Sequence, residues 1–130
     1  MSEIALEGLR VFIVEDESLI AMLLEDIVTE NRCSVVSIAA TLEQAMKEAS
    51  TVNANVAILD VNLNGKSAYS VAQVLIDRSI PFVFSTGYGA AGVPEEFRTI
   101  PILSKPFGEK ELIRALQITL AQPLTKAGQC

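Results

Sequence analysis

The chain contains no histidine. That absence removes triads built on a histidine base, the usual zinc sites and any phosphohistidine carried by the chain itself. Cysteine is nearly as scarce. Cys33 and Cys130 lie far apart with no metal spacing, so Cys33 reads as a buried free thiol and Cys130 as an idle thiol in the tail. No apolar run approaches the ~20 residues that span a bilayer. The start, Met1-Ser2-Glu3-Ile4, lacks the basic and long apolar regions of a signal peptide, and the expectation is a cytoplasmic protein without a membrane partner. The 10 basic residues are scattered from Arg10 to Lys126 against 16 acidic ones, for a net charge of -6, so no nucleic-acid surface is expected. Chemistry on this chain must use carboxylates, hydroxyls and lysine.

What is present suits one folded domain. The 130 residues are 50% hydrophobic, enough for a proper core. Apolar strands are expected at Leu9–Val14, Cys33–Ala39, Ala54–Leu59, Ile80–Phe84 and Ile102–Leu103. Between them run amphipathic helical stripes: Ile20, Leu23, Leu24 and Ile27; Leu42, Ala45, Met46 and Ala49; Ala68, Val71, Ala72 and Leu75; and, last, Leu112, Ile113, Leu116 and Leu120. Thr41 followed by Gln44 reads as a capping box at the second helix. This alternation predicts an α/β fold, a flavodoxin-like, doubly wound, five-stranded parallel sheet of order 2-1-3-4-5 with helices on both faces. Gly87 to Thr99 holds three glycines and Pro94, so only a short, poorly supported helix is expected there. The domain is expected to span 1–122, with 123–130 a frayed tail and no output domain.

The strands end on chemistry. Glu15-Asp16 follows the first, Asp60 ends the third, Ser85-Thr86 ends the fourth, and Ser104-Lys105-Pro106 follows the fifth. In the expected order these residues meet at the carboxyl edge of the sheet, where open α/β folds bind ligands. Carboxylates gathered there need a cation, and all-oxygen ligands at an open edge suit Mg²⁺. A carboxylate so placed can attack a phosphoryl group, with a lysine and a hydroxyl of the right types to receive the phosphoryl oxygens. Two other motifs fail on context. Gly87-Tyr88-Gly89-Ala90-Ala91-Gly92 matches the dinucleotide fingerprint but follows the fourth strand and precedes no long helix. Gly65-Lys66-Ser67 resembles a phosphate-binding loop, yet Asp60 stands where its first glycine belongs.

Val14-Glu15-Asp16-Glu17, Leu59-Asp60-Val61-Asn62, Ser85-Thr86-Gly87 and Ser104-Lys105-Pro106-Phe107, in that order at strand ends, resemble a response-regulator receiver domain over roughly residues 8–121. The resemblance implies a two-component signalling domain rather than an enzyme, with Asp60 as phosphoacceptor. It implies Mg²⁺ held by Asp16, Asp60, the Asn62 backbone carbonyl and Glu15, the last directly or through water. Lys105 would pair with a phosphoryl oxygen, Thr86 would be the switch hydroxyl, and the Lys105-Pro106 bond would be cis. A histidine kinase or histidine phosphotransfer protein would be the donor. The signal would leave through a downstream protein partner, or the chain would act as a phosphate sink. The alternatives are a non-phosphorylated binding module or an aspartyl-phosphate phosphatase; against the latter, Asn62 replaces the acid such enzymes often use. Many receivers carry an aromatic residue where Ile102 stands here. Phe84-Ser85-Thr86-Gly87-Tyr88 resembles a subgroup with a Phe-x-Thr-Gly-Tyr signature, which makes Tyr88 a candidate switch residue.

Overall fold

Three central strands buried along almost their whole length alternate with helices that bury one stripe, and this pattern sets the architecture. The computed structural model describes residues 5–87 and 93–122. In chain order they form β1 (Arg10–Val14), α1 (Ser18–Glu30), β2 (Ser34–Ala39), α2 (Leu42–Ala49), β3 (Val56–Asp60), the short β4 (Asn62–Leu63) and β5 (Lys66–Ser67), and α3 (Tyr69–Asp77). They continue through β6 (Phe82–Thr86), a 3-10 turn at Glu95–Phe97, β7 (Ile102–Ser104) and α4 (Glu109–Ala121). The main sheet has the order β2-β1-β3-β6-β7 with every pairing parallel. With the β4–β5 hairpin set aside, this is the expected 2-1-3-4-5 order. Among the described residues no helix is long and apolar enough to cross a membrane.

Alternate residues of the central strands feed two cores, because side chains project to opposite faces with period two. Phe12, Val14, Leu59, Phe82 and Phe84 pack with α2 and α3 on one face. Val11, Ile13, Ile58 and Val83 pack with α1 and α4 on the other, where Cys33 is also buried. The Cys33 thiol is free and donates to the Leu6 carbonyl at 3.2 Å, and burial pushes its pKa up.

Three local features differ from the expected pattern or add to it. α1 buries Ala21, Leu24, Ile27 and Val28, whereas Leu23 is 44% exposed beside Leu19 and Met22. This helix is apolar around most of its circumference, so periodicity alone did not select the buried face. At α2, Thr41 Oγ1 accepts the Gln44 N–H as expected, but Gln44 Oε1 accepts from Ala40 rather than from Thr41. Between β3 and α3 the chain makes a two-residue hairpin turn, with positive φ at Asn64 (53°) and Gly65 (87°). Asn-Gly is the pair that such a turn prefers, because both residues tolerate left-handed backbone.

Candidate functional site

The residues that follow the parallel strands converge at the carboxyl edge. The Glu15 N–H bonds the Ala39 carbonyl at 3.0 Å, which extends the β1–β2 ladder by one residue and fixes Glu15 at its end. Asp60 closes β3, with Ser85 of β6 as its register partner. The Lys105 N–H bonds the Thr86 carbonyl at 2.8 Å, so β7 is extended onto β6 up to the lysine. The Lys105-Pro106 bond is cis.

Carboxylate oxygens of Glu15, Asp16 and Asp60 lie within 4.8 Å of one another. Lys105 reaches across β6 to meet them, with its Nζ 3.1 Å from Asp60 Oδ2 and 3.1 Å from Glu15 Oε1. Glu17 Oε1 stands farther out, 3.9 Å from the same ammonium. The Asn62 N–H donates to Asp60 Oδ1 at 3.1 Å and the Glu17 N–H to Glu15 Oε2 at 3.2 Å. Asp16 Oδ2 accepts the Asn64 N–H at 3.0 Å, which ties the hairpin to the site. Asp16 does not cap α1, whose N-cap is Glu17. Glu15, Asp60 and Thr86 are buried, and Lys105 is largely so.

One ammonium faces the carboxylates of Glu15, Asp60 and, farther out, Glu17, with Asp16 beside them, and the acidities reflect that imbalance. Burial, with the hydrogen bond and charge of Asp60, pushes Glu15 from its ordinary 4.5 up to about 7 against the pull of Lys105. Burial also raises Asp60, opposed by its bonds to Glu15, Asn62 and Lys105. Desolvation would lower Lys105, but the Glu15 and Asp60 carboxylates outweigh it and hold the ammonium above its usual value. Desolvation would raise Asp16, but hydrogen bonds from the Asp60 carboxyl and the Asn64 N–H bring it below the ordinary carboxylate value. An all-oxygen donor set, short of positive charge even with the Lys105 ammonium in place, fits a hard divalent cation. The same arrangement places a buried carboxylate against an ammonium, the pairing a phosphoryl acceptor needs.

The structure thus brings together Glu15, Asp16, Asp60 and Lys105, with Asn62 and Thr86 joined to them through backbone hydrogen bonds. Tyr88 lies outside the described residues. Sequence reasoning missed the Lys105–Glu15 pair, which depends on side-chain reach across intervening strands. It also missed an aromatic cluster beside Ile102, the register partner of Phe84. Tyr69 stacks on Phe97 at 5.3 Å between ring centroids, and both meet Phe84 edge-on at 5.9 and 5.8 Å. Rings from α3 and the 3-10 turn thus stand near a position that itself carries none.

Comparison with known proteins follows the same line. The response regulator receiver domain model matches residues 11–117. The solution structure of SdrG from Sphingomonas melonis Fr1 is 38% identical, covers 92% of this chain and 100% of its own, and superposes with a TM-score of 0.79. The receiver domain of the PhyR response regulator from Erythrobacter litoralis is 28% identical, with 93% and 96% coverage and a TM-score of 0.78. A mutant of the anti-anti-sigma factor PhyR from Bartonella quintana is 25% identical over 92% of this chain but only 50% of its own, with a TM-score of 0.77. No curated protein matches by sequence. A family match over most of the chain agrees with strand order and edge chemistry: the chain belongs to the response regulator receiver domain family, a module of two-component signalling.

Proposed function

We propose that Asp60 accepts a phosphoryl group from the phosphohistidine of a kinase or phosphotransfer protein. A carboxylate oxygen of Asp60 forms the new O–P bond as the P–N bond breaks, and the donor imidazole leaves with the electron pair. One observation carries this reading: the buried Asp60 carboxylate is held by the Lys105 ammonium at 3.1 Å, inside a cluster that still lacks positive charge. As negative charge moves outward from the carboxyl to the phosphoryl oxygens, Lys105 follows it, and the hydroxyl of the adjoining Thr86 becomes a second partner. Glu15, Asp16, Asp60 and the Asn62 backbone carbonyl would hold Mg²⁺, which when bound neutralises the carboxylates and the charge on the transferring group.

The domain, proposed as 1–122, works as a switch rather than a turnover enzyme. Asn62 offers no acid to a leaving group, and its Oδ1 is occupied by the Gly65 N–H at 2.7 Å. Similarity to a PhyR protein known as an anti-anti-sigma factor supports output through a protein partner, with an anti-sigma factor the kind of target to test. Leu19, Met22 and Leu23 stand exposed on α1, shortly after Asp16, and support a protein docking beside the site. Intact mass after incubation with acetyl phosphate and Mg²⁺ tests the central step. A gain of about 80 Da, abolished in Asp60→Asn, is expected for one phosphoryl group. No adduct on the native chain would overturn the reading.

A further inference from the structure

Ser85 is fully buried, and its hydroxyl has no hydrogen-bond partner among the described residues. Buried hydroxyls are rarely left so, and each exception asks for a reason. Its place in the sheet supplies one. Asp60 and Ser85 are register partners on adjacent parallel strands, so their side chains project to the same face. On the other side, Leu103 of β7 is the register partner of Ser85, and Lys105 lies two residues further along that edge on the same face. β6 stands between β3 and β7. The Lys105 side chain must therefore pass over Ser85 to bring Nζ within 3.1 Å of Asp60 Oδ2.

The hydroxyl is idle here because the Asp60 oxygens have other donors, Lys105 on Oδ2 and the Asn62 N–H on Oδ1 at 3.1 Å. Phosphorylation alters this. One carboxyl oxygen becomes the bridge to phosphorus, the other remains a carbonyl, and the negative charge moves outward, taking the ammonium with it. The Asn62 N–H stays on Oδ1, so the oxygen left without a protein donor is Oδ2, the one that Lys105 has released. Neighbouring strands are about 4.8 Å apart, so a side-chain rotation brings the Ser85 hydroxyl within reach.

We propose that Ser85 is a positioning residue whose hydroxyl donates to the Asp60 side chain once that carboxyl carries a phosphoryl group and Lys105 has turned to the phosphoryl oxygens. The inference rests on Asp60 being the phosphoacceptor. Ser85 completes the phosphorylated state and is held in reserve in the free one. A purely spatial role, a small residue beneath the lysine chain, would be served equally by alanine.

That contrast defines the test. Wild type, Ser85→Ala and Ser85→Cys are incubated with acetyl phosphate and Mg²⁺; the Asp60 O–P bond forms as the acetyl O–P bond breaks and acetate leaves. Excess donor is removed and the adduct is followed by intact mass. All three chains are expected to gain the phosphoryl group, and both variants to lose it about fivefold faster than wild type, the effect of one missing hydrogen bond. Melting temperatures of the unphosphorylated variants should equal or exceed that of wild type, since no bond is lost in that state. In wild type, NMR should detect a downfield shift of the Ser85 hydroxyl proton on phosphorylation, the mark of a new hydrogen bond, which repacking does not produce. Decay of the Ser85→Ala adduct at the wild-type rate overturns this inference alone. Absence of any adduct on wild type overturns the phosphoacceptor reading and this one with it.

Discussion

Lys105 shows how much one side chain can decide at the edge of a sheet. Its ammonium contacts both buried carboxylates, and each contact holds charge that burial would otherwise suppress. Lys105→Met keeps most of the aliphatic reach and removes the charge. At pH 7 the substitution should destabilise the metal-free fold by about 1–3 kcal/mol, the usual cost of stripping a buried charged group of its partner. At pH 5 the loss should shrink, because Glu15, with a pKa already near 7, then takes up a proton and no longer needs the ammonium. Urea unfolding at the two pH values measures this. An equal cost at both would mean that Lys105 contributes by packing and not by charge.

At the scale of elements, the β4–β5 hairpin is the part of the site most dependent on backbone conformation. Its Asn64 N–H bonds Asp16, and Leu63 is buried in the core, so the turn both carries and restrains the acidic cluster. Gly65 has φ of 87°, and a methyl group added there meets nothing within 4 Å. Gly65→Ala should therefore cost about 1–2 kcal/mol through left-handed backbone strain rather than through a clash. The same substitution should perturb the Asn64 amide resonance. An unchanged melting temperature would show that the hairpin is not held in this turn.

These elements were unequally legible in the sequence. Strand ends could be read because each apolar run stops abruptly at a polar residue: Val14 before Glu15, Leu59 before Asp60, Phe84 before Ser85. The hairpin was equally available, since Asn64-Gly65 is a strong turn signal. The buried face of α1 was not available. Leu19, Met22 and Leu23 are as apolar as Leu24 and Ile27, and only packing against the sheet separates them. Nor could the Lys105–Glu15 pair be read, because Lys105 follows the edge strand β7 and Glu15 follows β1, with β6 and β3 between them.

For the whole molecule, the concentration of acid at one edge links stability to pH and, with the proposed ion, to metal. Glu15 titrates at about 7 in the fold against an ordinary 4.5, so the folded state binds its proton more tightly than the unfolded chain. Stability is then fully present below pH 4.5 and is lost as pH rises toward 7, with a slope of at most about 1.4 kcal/mol per pH unit for one proton. Asp60, also raised, acts in the same direction. Asp16 is lowered, so its contribution fails only in acid, below its ordinary 3.8. Lys105 is raised above 10.5, so its contribution fails only in base. Between pH 5 and 7.5 the metal-free protein should therefore become less stable, whereas protein in millimolar Mg²⁺ should not. A divalent ion held as proposed would compete with the protons on Glu15 and Asp60, and at a hundredfold excess over its dissociation constant it would stabilise the fold by about 2.7 kcal/mol. Thermal unfolding across this range, with and without Mg²⁺, should give two curves that diverge as pH rises. Curves that stay parallel would mean that the ion binds elsewhere, and curves that coincide would remove Mg²⁺ from the site. A Glu15→Gln variant separates the causes: its metal-free curve should be flatter than wild type, because the proton that gave the slope is gone.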